Sequence, residues 1–349
     1  MKTRLINFDL MRVLMCIFVI MIHITEKPFS FPVRAAYTSV FFLCNSIFYM
    51  LSGRFNLEHT FDSTGDCLNF YRKKFVSIYF PYILISFMLS AVNLYSHTGS
   101  ITPKGVCVFA FKEFFDTNSE KALWFMYPLM GLLISTPFLS KMFHAMSDRE
   151  CRLMAAIAVI WNVVRVYLTS DIGVTFNISG WLLDNWCLYF VAGYLSDRLV
   201  NEKNRKSVYL LGAAGFIVTV ALRVLSEDHL PYCLDYSPAF LFFSVAAYDF
   251  MSRTFKVTNP VTVKVVSFIA QHTFLVYLLH MPVLRHVVPR FVTLDTTTVP
   301  GYLLQLAFAF ICSLAGAIVL RTLIIMPLQS LLRKLPGLRL SQQEKLHHG

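Results

Sequence analysis

Long apolar stretches recur along the whole chain, each near the ~20 residues that an α-helix needs to cross ~30 Å of hydrocarbon, with only short polar gaps between them. Nothing else in the sequence constrains the fold as strongly. Read in order, the stretches predict helices at 6–26, 36–53, 75–95, 122–140, 152–170, 181–196, 208–225, 234–251, 265–284 and 301–325. The expected fold is all-α: a polytopic transmembrane bundle of about ten helices, forming one integral membrane domain over 1–349 with no fused soluble domain. Composition agrees, since 56% of residues are hydrophobic and 15% charged, with 33 Phe. A soluble domain of this length needs far more surface charge.

Charge sets the orientation. With the N-terminus in the cytoplasm, the outer loops hold only Lys27, Arg34, Lys104, Lys112, Lys121, Arg285 and Arg290, and the other loop cations fall inside, among them Lys2, Arg4, Arg72, Lys73, Lys74, Arg149, Lys203, Arg205 and Arg333. That is the asymmetry of the positive-inside rule, and it places both termini in the cytoplasm. The net charge of +11 is mostly this asymmetry, with no basic domain that would suit nucleic acid. Lys2 and Arg4 before an apolar run imitate a signal peptide. The run is too long, contains Arg12 and lacks a small-x-small cleavage site, so it reads as a retained helix. The eight cysteines form no CxxC pair, and Cys107 and Cys233 are the two placed near one face where a disulfide could form. No internal repeat, metal-ligand spacing, Walker loop or GxSxG elbow is present.

Within the first helix, Arg12 and His23 are eleven residues apart. Eleven steps of ~100° bring them onto one face, and ~1.5 Å of rise per residue separates them by roughly 16 Å. Arg12 then lies in the inner half of the bilayer and His23 in the outer half. Ionisable groups at such depths are costly and point to function. Asp9, one turn before Arg12, can pair with the guanidinium. Glu26 follows His23 by three residues and can orient it, which equips the imidazole as a general base toward a hydroxyl. A structural ion pair and a hydrogen-bonded core histidine fit the same residues.

Three further constellations stand out. Arg72, Lys73 and Lys74 close an inner loop, where they either fix topology or clamp the phosphates of a cytosolic donor such as coenzyme A. Ser52 and Gly53 permit close backbone approach nearby, to a ligand or to another helix. Trp124 and Tyr127 open a helix from outside, as belt anchors or as a floor for a sugar ring. His280 places a second histidine in the outer third, in a core or proton-handling role. Arg165, Asp184, Arg223, Asp235, Asp249 and Arg321 also fall in or beside spans, and nothing in the sequence pairs them.

In order along the chain stand Phe8-Asp9-Leu10-Met11-Arg12 with His23, Phe48-Tyr49-Met50-Leu51-Ser52-Gly53, the basic cluster before Pro81-Tyr82, and Leu123-Trp124-Phe125 to Thr136-Pro137. Tyr189-Phe190-Val191-Ala192-Gly193-Tyr194 and Tyr277-Leu278-Leu279-His280 follow. This series resembles the acyltransferase 3 family of bacterial membrane proteins and spans nearly the whole chain. The resemblance implies a bacterial inner-membrane enzyme with acyl-CoA, chiefly acetyl-CoA, as donor and hydroxyls of a surface polysaccharide or lipid-linked sugar as acceptor. It makes Arg12 and His23 the functional signature. Relatives often carry a second basic residue three positions after the first in the inner loop, where this chain has Ser77 after Lys74. Relatives acting on O-antigen often carry a Trp-Ser-Leu-x-x-Glu motif and a fused extracytoplasmic domain. Here Trp124-Phe125-Met126 is followed by Leu129, which is closer to the stand-alone branch that includes the enterobacterial common antigen O-acetyltransferase.

The expected function is therefore membrane O-acyl transfer, most simply O-acetyl transfer, with His23 as base and Arg12, Arg72, Lys73, Lys74, Ser52 and Gly53 toward the donor. Trp124, Tyr127 and His280 are expected toward the acceptor, and no metal is expected. The rival is a transporter or flippase for a glycan or lipid-linked sugar, which buried charges in a helix bundle suit equally well.

Overall fold

The structure, a computed structural model, describes residues 5–25, 27–115, 123–168, 185–227, 233–235, 237–292 and 295–335. Among these every regular element is helical. In chain order they are α1 (Ile6–His23), α2 (Phe31–Phe41), α3 (Leu43–Leu57), α4 (Thr64–Lys74), α5 (Phe80–Thr98), α6 (Pro103–Phe115), α7 (Met126–Ala145) and α8 (Asp148–Val163). Then follow α9 (Asn185–Leu199), α10 (Arg205–Leu225), α11 (Pro238–Thr254), α12 (Pro260–Ala270), α13 (Thr273–Pro282), α14 (Val288–Phe291), α15 (Val299–Leu320) and α16 (Met326–Leu332).

Among the described residues, five helices are long and apolar enough to cross a membrane: α1, Phe31–Leu57, Thr64–Ser96, α10 and Val299–Leu332. A sixth is the pair Pro260–Ala270 and Thr273–Phe291, bent by 57°. The predicted helix at 265–284 is thus broken at Gln271–His272. The stretch at 36–53 extends to 27 residues, with only Phe42 between α2 and α3. Arg72, Lys73 and Lys74 lie on a helix and not in a loop, because a capping box starts α4 early: Ser63 Oγ accepts from Asp66 N–H and the Asp66 carboxylate accepts from Ser63 N–H. A helix at 103–115 was not expected, because charged Lys104 and Lys112 interrupt its apolar pattern.

Among the described residues four segments widen to π geometry, Phe75–Tyr79, Val164–Leu168, Val283–Val287 and Arg321–Ile325. The first and the last two are each followed by one residue and then a proline, Pro81, Pro289 and Pro327, and Val164–Leu168 is not. A proline ring clashes with the carbonyl four residues back, and a widened turn moves that carbonyl aside. The residue before each proline instead bonds five back, as Phe80 N–H does to Phe75 O.

The described helices belong to two compact units. Among the described residues, one comprises those within 61–134 and 315–335, the other those within 5–60 and 135–314. In the first, Tyr71 and Tyr79 hydroxyls donate to the Ile134 and Met130 carbonyls at 2.7 and 2.9 Å, and Gln329 donates to Val76 O at 2.8 Å. Gly99 ends α5 at φ +68°, a left-handed cap that glycine adopts without steric cost.

In the second unit α1 packs against α2, α3, α11, α12 and α13. The tightest crossing is α3 on α9. A Cβ at Gly53 would lie 1.6 Å from Phe190 O, and one at Gly193 would lie 1.9 Å from Met50 O. Small residues on both sides let these backbones touch. Arg223 of α10, buried, donates to Ala35 O at 2.8 Å, Thr38 Oγ1 at 3.0 Å and Ser39 Oγ at 2.7 Å on α2. Opposite faces carry large exposed apolar side chains, such as Leu210 at 73% and Ile217 at 66% on α10, as lipid-facing helices do.

Candidate active site

His23 is the last residue of α1. Its position follows from how α1 meets the bent pair. Val13 packs on Val266 and Ala270 of α12, with Leu10, Ile17 and Ile269 around them. After the bend, Cys16 Sγ donates to Thr273 O at 3.8 Å. Seven residues later on both helices, His23 faces His280, with ring centroids 5.1 Å apart and planes 45° apart. Equal seven-residue steps keep two near-parallel helices in register, so contact at Cys16 and Thr273 dictates contact at the histidines.

His280 is fully buried. Its Nδ1 lies 2.5 Å from Tyr277 O. A carbonyl only accepts, so Nδ1 carries the proton, and in the neutral ring Nε2 is a bare lone pair. Among the described residues that Nε2 has no hydrogen-bond partner. Lys27 and Arg285 are the cations within electrostatic reach of His23. Lys27, in the loop after α1, donates to Ile24 O, and burial, with Arg34 nearby, pushes its ammonium below the usual lysine range. Tyr302 donates to Met21 O at 2.8 Å and ties α15 to this end of α1.

In the N-terminal half of α1, Arg12 Nη1 donates to Asp9 Oδ1 at 2.8 Å. Asp9 is buried and accepts on Oδ2 from Ser267 at 3.4 Å, while Arg12 lies over the Phe55 ring at 4.9 Å and keeps 32% of its side chain exposed. The carboxylate thus offsets the burial of the guanidinium and fixes its direction. Beyond it, Arg54 pairs with Asp197 and with Glu58 at 2.5 Å, and Asp249 pairs with Arg253 at 2.7 Å and Arg205 at 3.6 Å.

The other expected site residues divide as follows. Gly53 is in helix packing against Phe190, and Ser52 O and Oγ receive the Asn56 amide at 2.6 and 3.3 Å. Arg72, Lys73, Lys74, Trp124 and Tyr127 belong to the first unit. There Arg72 donates to Asn69 at 3.3 Å, Lys74 lies over Phe70 at 5.0 Å and Ser77 donates to Lys73 O at 2.7 Å. Trp124 and Tyr127 stand at the start of α7, half-buried. Glu26 and Asp184 lie outside the described residues. All eight cysteines are free, so the Cys107–Cys233 pairing is corrected; Cys233 is buried beside Ser226 Oγ at 3.8 Å. Among the described residues no group of three or more His, Cys, Asp or Glu gathers as a metal site. Residue-by-residue reading missed the proximity of Lys27 and Arg285 to His23. The signal for Arg285 was its place five residues after His280 in a proline-flanked segment.

Compared with known families, one family model, described as an acyltransferase domain, matches residues 5–322. Neither the curated proteins nor the solved structures give a match.

Proposed function

Because the chain belongs to the acyltransferase 3 family and is a multi-pass membrane acyltransferase, we propose that it moves a short acyl group, most simply acetyl, from cytosolic acyl-CoA to a hydroxyl of a surface glycan or its lipid-linked precursor. The bacterial inner membrane is the location that this reaction requires. The observation that carries the reading is the His23–His280 pair, eleven residues along one continuous helix from a partly exposed arginine.

Acyl transfer needs a base for the incoming hydroxyl and a positive group for the donor phosphates or the developing oxyanion. His23 takes the hydroxyl proton as the oxygen attacks the thioester carbonyl. The tetrahedral intermediate expels CoA thiolate, which recovers the proton from the imidazolium. His280, with its bare Nε2, is the acceptor toward which a His23 N–H can turn, leaving the other His23 nitrogen as the base. Apo sites are often looser than the reacting complex, so a hydrogen bond still to be closed fits this role. Arg12, held by Asp9, meets the donor. The roughly 16 Å of helix between Arg12 and His23 is comparable to the reach of an extended pantetheine arm. Within the other unit, Arg72, Lys73 and Lys74 carry charge suited to nucleotide phosphates, and Trp124 and Tyr127 carry aromatic faces suited to a sugar.

The test is made with protein in nanodiscs and with acetyl-CoA. His23→Ala is expected to bind acetyl-CoA normally and lose turnover by about 10²–10⁴-fold. Arg12→Ala is expected to lose binding by roughly ten- to hundred-fold, the worth of a charged hydrogen bond. Full turnover in His23→Ala at normal protein levels removes the base assignment, and movement of unmodified glycan without acetyl gain moves the protein to transport.

A further inference from the structure

In the orientation expected from charge, the outer loops hold seven basic residues, and the positive-inside rule works against each of them. Three of the seven gather at the end of α1 that carries His23. Lys27 and Arg285 lie within electrostatic reach of the imidazole, and Arg34 lies within reach of Lys27. Arg285 is exposed, and Lys27, Arg34 and His23 are half-buried, so together they form an open face that a ligand can approach from solvent.

Among the described residues, neither Lys27 nor Arg34 has a carboxylate at salt-bridge distance. The contacts they make are with uncharged groups: the Lys27 ammonium donates to Ile24 O, and Arg34 lies over the Phe31 ring at 5.5 Å. The two cations therefore repel each other with nothing between them to offset the repulsion. Arg34 also stands in the first turn of α2, where the helix dipole disfavours a positive charge and no acidic residue balances it. Asp295, in the loop that leads into α15, is engaged by Thr297, whose N–H and hydroxyl donate to Oδ1 at 2.8 and 2.7 Å.

The turn that holds these charges is fixed. Tyr37 OH donates to Pro28 O at 2.8 Å, and Phe29 sits at φ +74° with its ring 6.2 Å from that of Tyr37. A bulky residue keeps a left-handed backbone only where its surroundings hold it there. Partly buried charges are normally paired, so two cations fixed side by side without a counter-charge call for an anionic ligand. Lysine and arginine both bind carboxylate and phosphate oxygens. In the proposed reaction the donor phosphates lie toward Arg12, eleven residues earlier on α1, which leaves an anion beside His23 to the second substrate.

We propose that Lys27 and Arg34 form an anion site that takes a carboxylate or phosphate of the sugar acceptor and so presents a neighbouring hydroxyl to His23. The acceptor is then an acidic glycan. That the anion belongs to an acceptor rests on the acyltransferase reading; the uncompensated cations do not.

The experiment uses the full chain in phosphatidylcholine nanodiscs. The probe is surface glycan fragments released by mild acid from the cells that produce the protein, in three forms: untreated, with carboxylates reduced to alcohols, and with phosphates removed by phosphatase. Binding is read by saturation-transfer NMR, and acetyl transfer from acetyl-CoA is read in parallel. One of the two treatments is expected to weaken binding to wild type by ~10-fold or more, the worth of a charge-assisted hydrogen bond, and thereby to name the anion. Added salt is expected to weaken the untreated fragments alone. The double variant Lys27→Gln, Arg34→Gln is expected to bind all three forms alike, at unchanged acetyl-CoA affinity, while Lys27→Arg and Arg34→Lys keep the preference. Because the cations repel in the empty protein, the double variant is also expected to melt no lower than wild type. If it melts well below wild type, the two single variants to Gln decide by the same preference.

Wild type that binds the three forms alike, or binds none, overturns the site, as does a double variant that keeps the preference. A melting temperature that responds to added phosphatidylglycerol in wild type but not in the double variant, with glycan preference unchanged, assigns the cations to lipid headgroups and also overturns it. Acetyl transfer indifferent to the acidic group overturns the site and leaves the reaction standing. A preference that depends on both cations, in a protein that transfers no acetyl, keeps the site and removes the reaction.

Discussion

A buried carboxylate beside a half-exposed guanidinium has two separable effects, and Asp9 with Arg12 allows them to be told apart. Arg12→Met removes the guanidinium that is paired with the buried Asp9. The penalty for breaking a fully buried pair is ~3–5 kcal/mol, and it shrinks to about 1–3 kcal/mol here because Arg12 reaches solvent. Adding Asp9→Asn removes the remaining charge. The double variant is therefore expected to melt at a higher temperature than Arg12→Met alone, yet to bind acetyl-CoA no better. Recovery of binding along with stability would make Arg12 a structural residue. At the histidines, His280→Phe keeps the ring contact with His23 and deletes the acceptor. Turnover is expected to fall by less than in His23→Ala, at unchanged acetyl-CoA affinity, and a steady-state comparison of the two variants reads this directly. The pairing of Asp9 with Arg12 was legible from their three-residue spacing. The pairing of His23 with His280 was not, because 257 residues separate them and each alone reads as an isolated polar group in an apolar run.

Helices here are placed by close approach as much as by side-chain volume. On α3 and α9 the two glycines are reciprocal, each lying against a backbone carbonyl of the other helix. Backbone cannot yield as a flexible side chain can, so Gly193→Ala forces the helices apart. A loss of at least ~1–3 kcal/mol is expected, the usual range for overpacking, seen as a lower melting temperature in detergent. Gly131, with open space around its Cβ position, is the control, and Gly131→Ala is expected to be neutral. The Tyr189–Tyr194 motif, one of those that carry the family resemblance, is a packing motif, since Gly193 lies within it. Proline positions explain three of the widened turns, at Phe75–Tyr79, Val283–Val287 and Arg321–Ile325, in the same local way. The bend between α12 and α13 has no such mark, because Gln271 and His272 carry no proline or glycine, and the elbow is held by contacts with α1 at Val13 and Cys16.

For the whole molecule, the charge asymmetry predicts sidedness. In intact spheroplasts, and in a background with the eight native cysteines replaced by serine, Lys104→Cys is expected to react with a membrane-impermeant maleimide, and Lys203→Cys only after permeabilisation. The reverse pattern would invert the orientation and place His23 on the cytoplasmic side. The all-helical membrane class and the shared face of Arg12 and His23 follow from chain-local quantities: apolar length and helical period. Those quantities are written in consecutive residues, so no partner is needed to read them. Which polar groups meet depends on helix crossings that bring distant residues together. Arg223 finds the carbonyl and hydroxyls of α2, Asp249 finds Arg205 and Arg253, and Asp235 finds Asn45. Each was an unpaired charge or hydroxyl in the sequence. A buried polar group is costly wherever it lies, but its partner is set by packing, and packing is decided by small residues and bends whose effect appears only when two helices are in contact.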